Sequence, residues 1–445
     1  MAQQARIDVD TSLVEGATAA STEQLAEIAQ AVPPRVWFAD APAAPAAAGT
    51  ARQPDVEWVL SGTSPHRGEQ ATGTAAVYYG AGHRGLQRPF IFADGFNYGP
   101  SDLPGLWSHF NAPYEPGKEG FLDQLLAAGQ DVILLGFDKR HTYIQANAGV
   151  ATSCVLRAIE ERQGNEPLTV GGVSMGGLVT RYALASMERE GIDHQTATYV
   201  SWDSPHQGAW IPLVLQQMAY FFEALTPSKP DQPKQAELIR SPAAQQLLWG
   251  WVENAKYSGP VATASPLREE FLRELADLGH WPQRPLKIGV ANGNGQGTGR
   301  KLPPGEVAFD WKAIVASATA RFQPAGDQQR IGGMHLGLEV RRSTTTNVPP
   351  FDGAPGGTLA SYGLVADALK VKISDDFRDA CFVPTVSAVA LDYDPVAWSI
   401  DLNTDISELP PERSALDQFQ TDSENTPHSN VSPTLANWLL ERLVR

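Results

Sequence analysis

The stretch Leu168-Thr169-Val170-Gly171-Gly172-Val173-Ser174-Met175-Gly176, running on into Gly177 to Glu190, decides how this chain is read. Its first part is a short apolar run of strand length. Its last part has helical periodicity. Between them a serine sits in a Gly-x-Ser-x-Gly pattern, on a tight strand-to-helix turn that pushes the hydroxyl out of the sheet edge with a backbone N–H beside it. The flanking glycines are needed because the turn is strained and a neighbouring strand passes too close for a Cβ. An exposed hydroxyl so placed is the usual arrangement of a covalent acyl-transfer nucleophile. The pattern carries weight only if strands and helices alternate around it.

They do. Upstream, Trp58 to Thr63 and Thr74 to Gly80 read as two strands, and Arg88 to Asp94 as a third, continuously apolar one. Lys118 to Ala128 reads as a helix, Asp131 to Phe137 as a strand and Ile144 to Gln163 as a helix. Downstream of the serine helix, Thr196 to Trp202 is the next strand. Strand and helix in short-linked alternation imply right-handed crossovers and a mostly parallel sheet. The period then turns helical at Ile211 to Phe222, Ala243 to Val252 and Pro266 to Leu278, which predicts a helical cap over about 210–283. Leu286 to Ala291 resumes the sheet, Val307 to Ile314 and Gly332 to Val340 alternate as an antiparallel insertion within about 300–345, and Cys381 to Leu391 returns to the core. Pro433 to Leu443 is a terminal amphipathic helix. Residues 1–55, with a short helix at Thr22 to Val32 and a Pro/Ala linker at Ala41 to Gly49, read as an appendage. The expected core is therefore 56–209 with 284–445.

Bulk properties narrow the chemistry. The chain has 445 residues, long enough to bury a core without staples, and a net charge of −16. That acidity speaks against nucleic acid and anionic membranes, both of which need basic patches, and favours a neutral or apolar substrate. No apolar run reaches the ~18 residues of a membrane-spanning helix. Met1 to Arg6 opens no apolar signal core, so the expectation is either a cytoplasmic protein or a secreted one whose signal lies outside this sequence. The two cysteines, Cys154 and Cys381, read as buried thiols whose pairing sequence leaves open.

Several segments together resemble the α/β-hydrolase superfamily, on its lipase and esterase side. Beyond the turn at Gly172 to Gly176, Phe90-Ile91-Phe92-Ala93-Asp94-Gly95-Phe96 is similar to the family's oxyanion strand, with Asp94 where a histidine is usual. Ser204-Pro205-His206-Gln207-Gly208 is similar to a Thr-Pro-His-x-Gly stretch. Val383-Pro384-Thr385-Val386-Ser387-Ala388 is similar to the segment that follows the catalytic acid, and His428 precedes the last helix. The likeness covers roughly 56–209 and 284–445. It implies an α/β sandwich with a mostly parallel central sheet, an inserted helical cap and a small antiparallel insertion.

The resemblance also implies roles, in the order nucleophile, acid, histidine. Ser174 would attack the carbonyl and needs an imidazole to take its proton. Of the five histidines after it, His194 reads as a solvated cap, His206 as structural, His280 and His335 as neighbours of the cap and the insertion. His428, in a polar loop before the last helix, is the expected base. The acid is open between Asp379, placed as in lipases but one residue early, and Asp203, which ends the strand after the serine strand; Asp138 and Asp376 stand behind them. The backbone N–H groups of Met175 and Phe96 would form the oxyanion hole.

The expected activity is a serine hydrolase acting on carboxylic esters with an apolar acyl or alcohol part. The alternatives are other acyl chemistry at the same site (amidase, thioesterase, lactonase, acyltransferase) or an inactive hydrolase-fold binding protein. The partner is then a small-molecule or lipid-like ester, with no cofactor and no metal implied by any ligand spacing. Gly293 to Gly299 reads as a flexible loop rather than a phosphate cradle, since it lacks the Lys-Ser/Thr ending. Tyr220 to Phe222 and Trp249 with Trp251 read equally as acyl-pocket lining and as cap core.

Overall fold

The computed structural model describes residues 52–223, 235–253, 264–313, 316–337 and 339–444. The expected helix at Thr22 to Val32 and the Pro/Ala linker lie outside the described residues. In chain order the elements are β1 Val56–Ser61, β2 Thr72–Tyr78, β3 Pro89–Ala93, α1 Leu103–Phe110, α2 Phe121–Ala127, β4 Asp131–Phe137, α3 Ile144–Glu161, β5 Leu168–Val173, α4 Met175–Arg189 and β6 Thr196–Trp202. There follow α5 Leu213–Phe221, α6 Gln235–Arg240, α7 Pro242–Leu247, α8 Pro266–Asp277 and β7 Leu286–Asn294. The rest are β8 Val307–Lys312, β9 Ala316–Arg321, β10 Gln329–Leu336, β11 Glu339–Thr345, β12 Gly356–Leu359, α9 Ser361–Ala368, β13 Ala380–Pro384, α10 Thr385–Ala388, β14 Gln418–Asp422 and α11 Pro433–Leu443.

Eight strands form one sheet in the order β1-β2-β4-β3-β5-β6-β7-β14. Only β2 runs against its neighbours; β4, β3, β5, β6, β7 and β14 pair in parallel. The fold class is thus α/β with a mostly parallel sheet. Parallel strands covered on both faces must be apolar throughout, and β3 and β4 are buried at every position. Their side chains divide strictly by parity. Ile91, Ala93, Ile133 and Leu135 pack with α3 and α4 on one face; Phe90, Phe92, Val132 and Leu134 pack with α1, α2 and α11 on the other.

A third apolar cluster holds α5, the segment through Val252, the four-stranded antiparallel sheet β11-β10-β9-β8, Phe351 and β13. Helices α5 and α6 and the antiparallel strands therefore share one core, whereas Phe271 and Leu275 of α8 pack on the α3 and α4 face of the main sheet. Trp210 stacks on Phe351 at 4.5 Å, Trp249 lies 4.7 Å from Phe351 and 5.7 Å from Trp398, and Phe222 meets Trp311 edge-on at 5.9 Å. Tyr220, Phe221, Phe222 and Trp249 are buried in this core. Arg268 of α8, fully buried, donates to the carbonyls of Gln246 (2.8 Å) and Gln207 (2.7 Å); burial, opposed by Tyr393, pushes its guanidinium down to about 10.

Three expectations change. The helix read over Ala243 to Val252 stops at Leu247, because Leu248 leaves the helix to bridge Ala209 and Trp249 donates to the Ala209 carbonyl. Gly332 to Val340 is not one strand but parts of β10 and β11, with His335 opposite Val340; period-2 alternation continues on both sides of the turn at Gly337, whose φ is +59°. Cys381 to Leu391 splits into β13 and α10, and β13 pairs with β12 in a separate two-stranded sheet. The place beside β7 goes to β14. The glycines of Gly293 to Gly299 mark close approaches. A Cβ on Gly293 would sit 2.1 Å from Thr385 Oγ1, and one on Gly299 2.1 Å from the Gly353 carbonyl.

Candidate active site

Ser174 lies between the last residue of β5 and the first of α4, with φ 54° and ψ −126°. A non-glycine residue in that region is strained and persists only where the surroundings hold it. Here the Ser174 N–H donates to the Trp202 carbonyl at 2.9 Å. The glycines have a measurable reason. A Cβ on Gly172 would lie 2.7 Å from the Ala93 carbonyl, and one on Gly176 only 2.2 Å from it. The helix can start so close to β3 only without side chains at those positions. A strained serine at the carboxyl end of the fifth strand, in a sheet ordered 1-2-4-3-5-6-7-14, settles the architecture. The class is α/β with a mostly parallel sheet, and the strand–turn–helix expected around Ser174 is present.

The remaining polar groups gather at the same sheet edge. Asp203 follows β6, immediately beside β5, and has φ 46° and no exposed surface. Its N–H continues the ladder to the Val290 carbonyl (2.7 Å), and its Oδ1 accepts from the Asn292 N–H (3.0 Å). Its Oδ2 lies 2.6 Å from Nδ1 of His428. With a carboxylate as partner the ring donates from Nδ1, and Nε2 is the bare nitrogen. That Nε2 is buried and without a hydrogen-bond partner among the described residues. Buried polar atoms are rarely left so, and an orphan is a pointer to function.

The loop carrying His428 is pinned on all sides. The His428 N–H donates to the Thr358 carbonyl of β12 (2.8 Å), Asn292 Nδ2 donates to the Asn430 carbonyl (2.8 Å), and His109 Nε2 donates to the Ser429 carbonyl (2.7 Å). Burial lowers the pKa of His109, with the Ser429 carbonyl opposing. Phe382 meets the His428 ring edge-on at 4.9 Å. Gly357 of β12 passes so close that a Cβ there would sit 2.1 Å from Asp203 Oδ2. Sequence reasoning missed Gly357 and His109, because both act across contacts between distant segments, one from β12 and one from α1, that no local pattern announces.

The other sequence candidates lie elsewhere. Asp379 does not reach His428. It is more than a third exposed, and its nearest cation is Arg300 at 3.6 Å. The reason is that β13 is not a strand of the main sheet, so the residue before it falls beyond the Leu359 end of β12. Of the two carboxylates weighed, Asp203 holds the histidine. Asp138 accepts from Thr72 Oγ1, and Asp376 sits in an exposed turn. His194 is no solvated cap: it is fully buried, with Nε2 3.0 Å from Glu188 and Nδ1 accepting from the Thr196 N–H. His206 is buried with Nε2 2.8 Å from Ser201 Oγ, and its pKa is lowered well below the usual value, by burial first and then by Arg181. His280 contributes its carbonyl to Arg181, and His335 lies in β10.

On the oxyanion side, Gly95 follows β3 and faces the serine. A Cβ on it would be 3.1 Å from Ser174 Cβ and 3.6 Å from Oγ. Its N–H is taken by Asp94 Oδ1 at 2.7 Å. Phe96, the next residue, is half-buried against two of the three apolar clusters. Met175 opens α4, where first-turn N–H groups have no intrahelical acceptor. Cys154 and Cys381 are buried free thiols; burial, and secondly the Asp203 charge, pushes the Cys381 thiol up. Among the described residues there is no cluster of metal-ligand spacing, and no helix is long and apolar enough to cross a membrane.

No family model and no curated protein matches the chain. Among solved structures it is similar to the mature form of the Bacillus licheniformis lipase BlEst2 (11% identity, 55% of this chain and 73% of that one, TM-score 0.27). It is also similar to a Pyrobaculum calidifontis esterase (12%, 63% and 83%, TM-score 0.28) and to esterase Est22 (12%, 65% and 76%, TM-score 0.31).

Proposed function

We propose that this chain is a serine hydrolase of carboxylic esters, with Ser174 as nucleophile, His428 as general base and Asp203 as the acid behind the ring. The observation that carries the reading is the buried His428, held by Asp203 through Nδ1 while Nε2 has no partner, on the sheet edge where Ser174 is strained outward. An imidazole so held, with Nε2 bare, is suited to accept the proton of the Ser174 hydroxyl. Ser174 then attacks the ester carbonyl. The N–H groups of Met175 and Phe96 hold the oxyanion, the alcohol leaves with the proton from His428, and water cleaves the acyl-enzyme by the reverse roles. Phe382, edge-on to the His428 ring, gives the site apolar surface, which supports an apolar acyl or alcohol part.

The test is hydrolysis of short and medium p-nitrophenyl esters by wild type and Ser174→Ala. The variant is expected to lose more than about 10³-fold in kcat/KM, and a fluorophosphonate to label wild type alone. Equal turnover by both proteins overturns the reading.

A further inference from the structure

We propose that Asp94 and Arg140 are positioning residues, a buried staple across the loop after β3 that aims the Phe96 N–H at the oxyanion formed on Ser174. This rests on the ester-hydrolase reading and deepens it. Asp94 stands where the resemblance leads one to expect a histidine, so its role is not given by that pattern. Both side chains are nearly withdrawn from solvent, at 11% and 14% exposure, and Arg140 Nη1 lies 3.3 Å from Asp94 Oδ2. The other carboxylate oxygen accepts the Gly95 N–H. Asp94 therefore fixes the near end of the loop and also removes Gly95 as an oxyanion donor.

The far end is fixed by the same arginine. Arg140 Nη2 donates to the Tyr98 carbonyl at 3.3 Å, and the Arg140 main-chain N–H donates to the Gly99 carbonyl at 3.2 Å. Next to it His141 accepts the Gly99 N–H at 3.3 Å and stacks on Tyr98 at 4.6 Å. One guanidinium thus spans residues 94 and 98, and Phe96 is the midpoint of what it spans. A buried ion pair is weak evidence for a stabilising role, since desolvation offsets the attraction. A pair bracketing a backbone donor is better explained by what it aims. The planar fork matters, because a lysine ammonium reaches one end or the other but not both in fixed geometry.

The experiment compares Arg140→Lys, Asp94→Asn and the double variant with wild type on a p-nitrophenyl ester, with thermal midpoints measured alongside. Expected is a fall in kcat of about 10- to 100-fold in each single variant with KM within about twofold, below the 10²–10³-fold lost when such a donor is removed outright. The double variant should be no worse than the poorer single one, since the residues act as a unit. Binding of a trifluoromethyl ketone, which Ser174 converts to a tetrahedral oxyanion adduct, should weaken in parallel with kcat. Unchanged kcat and ketone affinity, with or without a lowered thermal midpoint, would make the pair merely structural and overturn the proposal, while the Ser174 reading stood. If Arg140→Lys does not fold, the near-isosteric Asp94→Asn decides alone. Absence of Ser174-dependent turnover in wild type removes the reading and this proposal together.

Discussion

At the scale of single residues, the proposed site rests on two positive-φ positions, Ser174 and Asp203, each at the end of a neighbouring parallel strand. Strain at both is sustained by ladder hydrogen bonds that continue past the strand ends, from Ser174 to Trp202 and from Asp203 to Val290. The two aspartates weighed as acid give a sharp contrast. Asp203→Asn keeps the shape but favours the wrong tautomer of His428, and should lower kcat by about 10⁴-fold. Asp379→Asn, against Arg300, should leave kcat within about twofold. Steady-state kinetics of the pair on one ester checks both. Comparable losses in the two variants would be incompatible with the contacts described.

At the scale of elements, the helix α4 can leave β5 at this angle only because three backbones crowd without side chains. Gly171, Gly172 and Gly176 each approach a carbonyl oxygen at distances no Cβ tolerates, 1.9 Å to Val200 for Gly171 and 2.2 Å to Ala93 for Gly176. Gly176→Ala is therefore expected to destabilise by about 3 kcal/mol, the upper end of ordinary overpacking, and to lower kcat as the turn is displaced. Urea denaturation with a parallel activity assay checks this. A variant as stable and active as wild type would mean that the β3–α4 contact is looser than described. The antiparallel sheet β8–β11 and helix α5 form a second unit of packing, where Gly332 admits Val214. There Tyr220, Phe221, Phe222 and Trp249 serve cohesion.

At the scale of the molecule, several ionisable groups are buried in forms that set its pH response. His206 and His109 resist protonation chiefly through burial. In the unfolded chain they take up a proton near pH 6.5. Below that value the unfolded state binds more protons, so stability is present at neutral pH and falls as pH drops towards the lowered folded values, by at most about 1.4 kcal/mol per pH unit for each histidine. Asp94 and Asp352, both raised by burial, act with the opposite sign at lower pH. Urea midpoints should thus decline between pH 7 and 5.5, and less steeply in His206→Gln. An identical slope in that variant would show that His206 is not buried neutral.

The sequence by itself determined strands β1 to β7 of the central sheet, the serine turn and the histidine in the last loop. These are signalled locally, by unbroken apolar runs, by a glycine pattern and by position before a terminal amphipathic helix. It did not determine β14, because Gln418-Phe419-Gln420-Thr421-Asp422 is an edge strand with a largely polar surface and no apolar period. Nor did it determine where Ala243 to Val252 stops being helical, since Leu248 and Trp249 are drawn off by pairing with Ala209, more than thirty residues away in sequence. The choice between Asp203 and Asp379 was tertiary as well. Both are carboxylates beside a strand, and only strand pairing decides which strand end lies next to His428. Parallel pairing puts the end of β6 beside the serine, whereas β13 pairs with β12 and leaves Asp379 to Arg300. Local patterns record what a residue prefers; hydrogen-bonded pairing between distant segments fixes what it meets.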